Sequence, residues 1–369
     1  MESDLLKAIE ASDPVAASQC LHEEFQKGND PWEIHLTLFP AVQRVLNPPF
    51  INPHLPKMYR IYREFVPLLD REEIRSLVSL EVNEYAKRPK LGKLPRVSSL
   101  PSSISFNDVE DAIHQGDWEK STVSMASFYA QQGGKELARH LLLLGSDYLQ
   151  NSLGHSISCT AFILLEMLER PEQDPWPVMA TLADYFCKGE FDHMPALRKS
   201  KAPSAAMSSR LMSRATSGRG IVNLHHTITR YALDRVSHLF TPEEINHMLA
   251  AWDEFMGKKP VDKTVLDAEQ AEGGDDYSVF YNTFKEMDPK PVTSYLRKCL
   301  ATPETRRKLN QFLIKGVCDL YQNDYNPHYL TGLGSALWVV DRHCNEAPIA
   351  TRALFQYLDF FFSGLKSED

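Results

Sequence analysis

The sequence contains few cysteines and no cysteine spacing typical of a zinc site. Its six cysteines are scattered over 369 residues without a C-x-x-C pair, which argues against a zinc module and against a disulfide scaffold. Unpaired thiols suit a reducing compartment, so we expect a cytoplasmic protein. The first residues are acidic and are not followed by a long apolar run, so no secretory signal is expected.

Long apolar runs and an excess of positive charge are also missing. No stretch approaches the roughly 20 apolar residues that span a bilayer, so we expect no membrane insertion. The 40 basic side chains are outnumbered by 49 acidic ones, which leaves a formal net charge of −9. Because nucleic-acid binding needs a cationic face, we expect no nucleic-acid partner. The 43% apolar content predicts a folded protein with a core.

Alternating strand patterns are almost absent, whereas apolar residues recur at helical spacing. Leu137, Leu141 and Leu144 show the period of a helix that buries one face. Capping residues mark helix starts, as at Thr241 before Pro242. The sequence therefore predicts an all-α protein.

Two segments near the amino terminus resemble each other at an offset of 104 residues. Residues 4–13 align with residues 108–117, and Pro53-His54 precedes Gly154-His155 by a similar interval. We predict that residues 1–90 and 105 to about 190 are two copies of one helical unit. Residues 91–104 would be an extended linker, and residues 105–369 would hold the second copy and a diverged carboxy-terminal part. The expected fold is a helical repeat-like bundle of two related halves in one compact body.

Two charged segments interrupt the helical pattern. Residues 198–219 contain basic side chains and no acid, and residues 262–276 are their acidic counterpart. Both are predicted to be loops, the basic one mobile. A solvated loop is the usual role of such a segment. The alternative is a lid over a pocket, because long loops are often functional.

Histidine stands at the beginning of four predicted helices, and three of these segments share the pattern H-x-(I/L)-(S/T)-x-x-(A/G). A first-turn histidine and the hydroxyl three residues later lie on the same side of a helix. If these helices converge, their imidazoles line one interior pocket. We predict His155, His226 and His328 as catalytic residues. The predicted substrate-binding residues are His54, His225, Ser158, Thr229, Tyr231 and Thr331.

The chemistry of these histidines has several interpretations. A helix N-terminus disfavours an imidazolium cation, and a neutral ring can accept a proton, polarise a carbonyl or ligate a metal. His155, His226 and His328 are also the candidate metal ligands, although no H-E-x-x-H motif is present. The cofactor is left open between a metal ion and NADPH. A purely structural role, in which the histidines cap helices or fill an interface, is the other interpretation.

The repeated histidine followed by an apolar helix, at His155, His226 and His328, resembles the questin oxidase-like family. The resemblance covers a small part of the chain. It implies an oxygen-using enzyme of the kind linked to oxidative ring opening of aromatic polyketides. The sequence departs from that family in its amino-terminal repeat and in the basic segment 198–219, which leaves the substrate class open.

We therefore expect an oxidoreductase that acts on an apolar, aromatic or polyketide-like small molecule. One neutral histidine would act as the base, and others would orient a carbonyl or oxygen. One alternative is a non-catalytic helical scaffold whose basic segment 198–219 binds an acidic protein partner. Another is a metal-dependent enzyme that uses the same histidines. The aromatic carboxy terminus, with Phe360, Phe361 and Phe362, suggests either a docked helix or a homodimer contact.

Overall fold

The computed structural model describes residues 3–189, 205–257, 289–321, 326–343 and 346–365. This part of the chain is all-α, as the sequence predicts, with eighteen α-helices, two short 3-10 helices and no β-strand. The only extended pairings in these ranges are two isolated bridges, from Val45 to Lys90 and from Asn47 to Phe50. None of the helices in these ranges is both long enough and apolar enough to cross a membrane.

The chain divides into two units. Unit 1 comprises residues 1–199 and 232–248, and unit 2 comprises residues 200–231 and 249–369. The helices wholly in unit 1 are α1 (Asp4–Glu10), α2 (Pro14–Gln26), α3 (Pro31–Thr37), α4 (Phe39–Val42), α5 (His54–Phe65), α6 (Arg71–Lys87), α7 (Phe106–His114), α8 (Trp118–Gln132), α9 (Gly134–Ser146), α10 (His155–Glu169) and α11 (Trp176–Lys188).

Two further helices contain the boundaries between the units: α13 (Ile221–Val236) and α14 (Pro242–Met256). The helices wholly in unit 2 are α12 (Ala205–Ala215), α15 (Pro289–Leu300), α16 (Pro303–Tyr321), α17 (His328–Arg342) and α18 (Ala347–Leu365). The 3-10 helices are Val66–Leu68 and Ser237–Leu239, both in unit 1.

Predicted capping residues begin several helices. The Leu6 amide donates to Ser3 Oγ at 3.3 Å ahead of α1. Ahead of α14, the Glu244 amide donates to Thr241 Oγ1 at 3.3 Å, and the Thr241 amide donates to the Glu244 carboxylate at 2.9 Å. These bonds satisfy amides that have no partner within the first helical turn. The predicted helix start at Thr241 is thus confirmed.

Helices α9 and α10 approach each other closely at Gly145. Ser156 Oγ donates to the Gly145 carbonyl at 2.7 Å. A Cβ on residue 145 would lie 2.5 Å from the Ser156 carbonyl oxygen, a distance that only glycine avoids. This contact fixes the first turn of α10, where His155 lies.

Helices α5 and α10 lie side by side and in register. Arg63 Nη1 donates to the two oxygens of the buried Glu166 carboxylate at 3.0 and 2.8 Å. About two turns earlier in both helices, Lys57 Nζ donates to Ser158 Oγ at 3.3 Å. The paired residues are 103 and 101 positions apart in sequence, so the two helices run parallel. This register brings the first residues of the two helices together.

The two similar segments each form three successive helices, α1 to α3 and α7 to α9. Asp13 and Asp117 cap the second helix of each set. That the segments are related halves stays a prediction. Both segments lie in unit 1, and the predicted domain boundaries stay a prediction. Residues 91–104, the predicted linker, contain no helix.

The structure corrects one predicted loop. Residues 205–215 form α12, whereas the sequence predicts a loop over 198–219. The segment has few large apolar side chains, but alanine, methionine and arginine favour helices, and Leu211 and Ala215 are buried. The first part of that segment and the predicted acidic loop 262–276 lie outside the described residues.

The aromatic carboxy terminus is part of a buried helix. Phe360, Phe361 and Phe362 of α18 are all buried. The Tyr329 ring lies 5.5 Å from the Phe360 ring and 5.8 Å from the Phe361 ring. These rings therefore have partners inside unit 2, in agreement with a docked helix. The homodimer contact stays a prediction.

Candidate functional site

His54 and His155 meet at the N-terminal ends of α5 and α10 in unit 1. Each is the first residue of its helix. Their ring centres are 4.7 Å apart and their planes are nearly perpendicular. Both side chains are buried. Pro53 precedes one helix, and Gly154, in the left-handed conformation with φ +77°, precedes the other. Each imidazole is thus held at a helix start.

Hydrogen bonds give the two rings different protonation patterns. His155 Nδ1 donates to the Ser152 carbonyl at 2.7 Å. A carbonyl only accepts, so the neutral His155 ring has its lone pair on Nε2. The Asn47 amide nitrogen donates to His54 Nδ1 at 3.2 Å, which places the hydrogen of the neutral His54 ring on Nε2. The pair therefore offers one accepting nitrogen and one N–H donor.

Lys57, one turn into α5, is completely buried. Its Nζ donates to Ser158 Oγ, and no carboxylate of the described residues forms an ion pair with it. Burial lowers the pKa of Lys57, because an apolar environment disfavours an ammonium ion. Burial also raises the pKa of the neighbouring Cys159 thiol to about 11. That thiol is therefore neutral at pH 7 and does not balance a charge on Lys57.

Tyr185 of α11 brings a phenol to the same part of unit 1. Its side chain is buried, and burial raises the pKa of its hydroxyl. Ser152 and Cys159 lie near this hydroxyl and also affect its pKa. Ser152 therefore lies near Tyr185, and its carbonyl accepts the hydrogen bond from His155 Nδ1. We name the unit 1 cluster after these groups: His54, Lys57, Ser152, His155, Ser158, Cys159 and Tyr185.

His225 and His328 form a second pair, in unit 2. Their ring centres are also 4.7 Å apart, with the planes at 66°. His225 Nδ1 donates to the Ile221 carbonyl at 2.7 Å. His328 Nδ1 donates to Asn326 Oδ1 at 2.9 Å. In the neutral form both rings therefore have the lone pair on Nε2.

The neighbouring His226 has a different environment in unit 2. Its buried ring lies edge-on to Phe255, with 5.0 Å between ring centres. Its backbone carbonyl accepts a hydrogen bond from Trp252 Nε1 at 2.9 Å. The ring that meets His328 is thus that of His225. The catalytic role of His226 stays a prediction.

The predicted hydroxyl residues of unit 2 bond to their own helices. Thr229 Oγ1 donates to the His225 carbonyl at 2.7 Å, and Thr331 Oγ1 donates to the Pro327 carbonyl at 2.9 Å. Such bonds run back one turn along a helix. Tyr231 is buried, with its ring 5.9 Å from that of Trp338. The substrate-binding roles of these three residues stay predictions.

Sequence reasoning missed Lys57 and Tyr185. A signal for Lys57 was present, because this residue lies three positions after His54 and four before Ile61, in the middle of the buried face of α5. Lysine is almost never fully buried without a partner, so this position was informative. Tyr185 gave no comparable signal, because a buried aromatic ring is ordinary in a helical core.

The hydrogen-bond pattern indicates what the histidines can do. In His155, His225 and His328, Nδ1–H is bonded to an oxygen atom and Nε2 has the lone pair. This is the arrangement of histidines that ligate metals or act as bases. That the histidines of both units line one pocket stays a prediction.

Comparison of the chain with protein-family models, with curated proteins and with solved structures gives no match. The resemblance to the questin oxidase-like family therefore stays an expectation from the sequence. The chemistry of the two histidine pairs and of the unit 1 cluster supports the functional proposals that follow.

Proposed function

We propose that the protein is an enzyme that acts on an apolar small molecule and binds a divalent transition-metal ion through its buried and half-buried histidines. The supporting observation is common to His155, His225 and His328. In each ring Nδ1 donates to an oxygen atom, and the lone pair is on Nε2. A hydrogen bond at Nδ1 orients a ligating histidine and increases its basicity.

The pair of unit 2 is the better chelator of the two. His225 and His328 each present an Nε2 lone pair, and their ring centres are 4.7 Å apart. In unit 1, His155 offers such a nitrogen, while the Nε2–H of His54 would donate to an oxygen atom of the substrate. Imidazole ligands suit zinc, iron, copper and nickel. A bound iron or copper ion would supply the redox chemistry of the oxidoreductase that the sequence predicts.

Aromatic rings around the histidines support an apolar substrate. The Phe50 ring lies 6.4 Å from that of His54, and 60% of the Phe50 surface is exposed. Ile51, beside it in the chain, is also largely exposed. In unit 2 the Phe360 ring lies 6.3 Å from that of His328. Exposed apolar side chains beside a buried polar group are typical of the entrance to a small-molecule site.

The basic segment 198–219 gives little support to the alternative of a non-catalytic scaffold that binds an acidic protein. Arg214 pairs with Asp253, and Arg219 pairs with Asp359, within unit 2. These arginines already have acidic partners in the chain. They are therefore less available to an acidic protein.

The experiment is metal analysis of the full-length protein, followed by titration of chelator-treated protein with Zn²⁺ and Co²⁺. We expect metal to raise the melting temperature, since at a hundredfold excess over Kd a ligand stabilises by about 2.7 kcal/mol. The effect should disappear in His225→Ala and His328→Ala. His238→Ala is the matched control, because His238 is exposed and should bind no metal. Binding should weaken as pH falls below about 6.5, where imidazoles protonate.

The metal analysis and the titration distinguish between the possible metal sites. Absence of metal after purification, together with no thermal shift on titration, would overturn the metal proposal and leave acid–base chemistry by the same histidines. One ion per chain, lost in His155→Ala as well as in His328→Ala, would support the predicted single pocket. An unchanged shift in both unit 2 variants would assign the metal to other residues.

A cytoplasmic location is part of the proposal. Cys20, Cys159, Cys187 and Cys299 are not in disulfides. Free thiols are usual in reducing compartments. Cell fractionation of the tagged full-length protein tests the location, and recovery from a membrane or secreted fraction would contradict it.

A further inference from the structure

Lys57 has no structural explanation as a charged residue. Its side chain is completely buried in unit 1. Its single side-chain hydrogen bond in the described ranges goes to the neutral Ser158 hydroxyl. A buried ammonium ion without a carboxylate is strongly disfavoured. The amine is therefore most stable in its neutral form, with a nucleophilic lone pair on Nζ.

Lys90 shows how differently a structural lysine is arranged in the same unit. Its half-buried Nζ donates to the Tyr85 and Arg88 carbonyls, both at 2.7 Å, and to Ser12 Oγ at 3.2 Å. Burial lowers the pKa of Lys90 to about 8. Three acceptors nevertheless surround this group, which suits a donor held in place. Lys57 has one neutral partner and no such role.

We propose that Lys57 is a covalent nucleophile that forms an imine with the carbonyl group of an apolar aldehyde or ketone. This site goes beyond the proposed metal-dependent function, because imine formation does not require a metal. The segment that leads into α5 carries the exposed side chains of Phe50 and Ile51. An apolar carbonyl compound would approach along these side chains.

The proposed step balances without an oxidant or reductant. The Nζ lone pair attacks the carbonyl carbon and forms a C–N bond. The carbonyl oxygen then leaves as water together with the two amine hydrogens, and a C=N bond remains. Loss of water needs a proton donor and a proton acceptor. His54, three residues before Lys57 on the same side of α5, offers an Nε2–H, and His155 offers an Nε2 lone pair.

The test is reductive trapping in full-length protein with benzaldehyde and sodium cyanoborohydride at pH 7. Peptide mass spectrometry then locates the modified lysines. We expect modification at Lys57 to exceed that at the exposed Lys93. The ratio of Lys57 modification to Lys93 modification should decrease as pH rises toward the ordinary lysine pKa of about 10.4. Chelator is present throughout, so that failure here is separate from failure of the metal proposal.

The variants identify the reacting amine. Lys57→Met keeps the length of the side chain and removes the amine, and it should lose the trapped Lys57 peptide. Lys90→Met is the matched control and should retain trapping at Lys57. The wild-type peptide map decides the question even if Lys57→Met fails to fold. Modification confined to exposed lysines, or the absence of a trapped Lys57 peptide in folded wild-type protein, would overturn the proposal.

Discussion

At the scale of single residues, the predicted repeat, continued with one inserted residue, aligns His35 with His140, and these two histidines have different environments. His35 of α3 is stacked between Trp32 and Tyr59, and its Nδ1 lies 2.7 Å from Glu81 Oε2. His140 of α9, its counterpart in the alignment, has no such buried carboxylate partner in the described contacts. The alignment finds the position of a residue in a helix. It does not find the side chains that other helices place around it.

His140 should make the protein less stable in mild acid. Its ring stacks on Phe106 with 4.6 Å between ring centres. Burial, and then the charge of Arg139, lower the pKa of His140 below the ordinary 6.5. As pH falls, the unfolded chain therefore takes up this proton before the folded protein does. The stability contributed by neutral His140 is complete above pH 6.5 and is lost as pH falls through the folded-state pKa.

The measurement is the free energy of unfolding in urea at pH 7.5 and at pH 5. His140→Phe keeps an aromatic ring on Phe106 and removes the titrating group. We expect stability to decline less between the two pH values in this variant than in the wild type. Equal declines in both proteins would show that His140 does not contribute to the acid sensitivity.

At the scale of helices, the sequence predicts starts better than partners. Helix breakers and capping residues are local features of the sequence. Pro53, Gly154 and Thr241 each stand directly before the first residue of a helix in the structure. The register of α5 against α10 depends on contacts between residues about a hundred positions apart. Periodicity shows that a helix has a buried face, but it does not show which helix covers that face.

Gly145→Ala should destabilise the protein, because the added Cβ would lie 2.5 Å from the Ser156 carbonyl oxygen. Backbone cannot rotate away as a side chain can, so α9 and α10 would have to separate. Overpacking of this kind costs about 1–3 kcal/mol. Urea denaturation measures the loss.

Gly92→Ala is the matched control for this substitution. A Cβ at residue 92 would meet no heavy atom within 4 Å, so stability should change little. A Gly145→Ala variant as stable as Gly92→Ala would mean that the approach of α9 and α10 is less restrictive than the structure indicates.

At the scale of the whole molecule, unit 1 is built from two separate parts of the chain. Residues 232–248 return to it after the chain has entered unit 2. Arg235 Nη2 donates to Glu64 Oε2, and Glu244 accepts from Arg139. His247 Nε2 lies 3.4 Å from Asp147 Oδ1. The returning segment thus contributes both a basic and an acidic side chain to ion pairs with the first 199 residues.

A fragment of residues 1–199 should be less stable than a fragment of residues 1–250. The shorter fragment leaves Glu64, Arg139 and Asp147 without these partners, and it exposes the apolar surface that the returning segment covers. We expect the longer fragment to melt several degrees higher, since about 1 kcal/mol shifts the midpoint of a domain of this size by about 2–4 °C. Circular dichroism melts compare the two. Equal midpoints would show that the returning segment adds nothing to unit 1.

The fold class and the organisation of the chain could be predicted from the sequence to different degrees. Helical periodicity and the lack of strand patterns were enough to predict an all-α protein. The return of residues 232–248 to unit 1 has no local signature, because it depends on which surfaces pack together. Helix α12 was missed because a run of basic residues with few large apolar side chains suggested a loop, although alanine is the strongest helix former. The burial of Lys57 could not be predicted, because it depends on the packing of α5 against α10, about a hundred residues away in sequence.

The register of α5 against α10 also bears on the origin of the chain. If residues 1–90 and 105–190 descend from one ancestral unit, then His54 with His155 and Lys57 with Ser158 are contacts between equivalent positions. Such contacts occur across the two-fold axis of a homodimer. A single-copy ancestor would have paired with itself, its histidine facing its own symmetry mate. Gene duplication and fusion would then let the two copies diverge and place an amine opposite a hydroxyl, a combination that a symmetric dimer cannot build at one position.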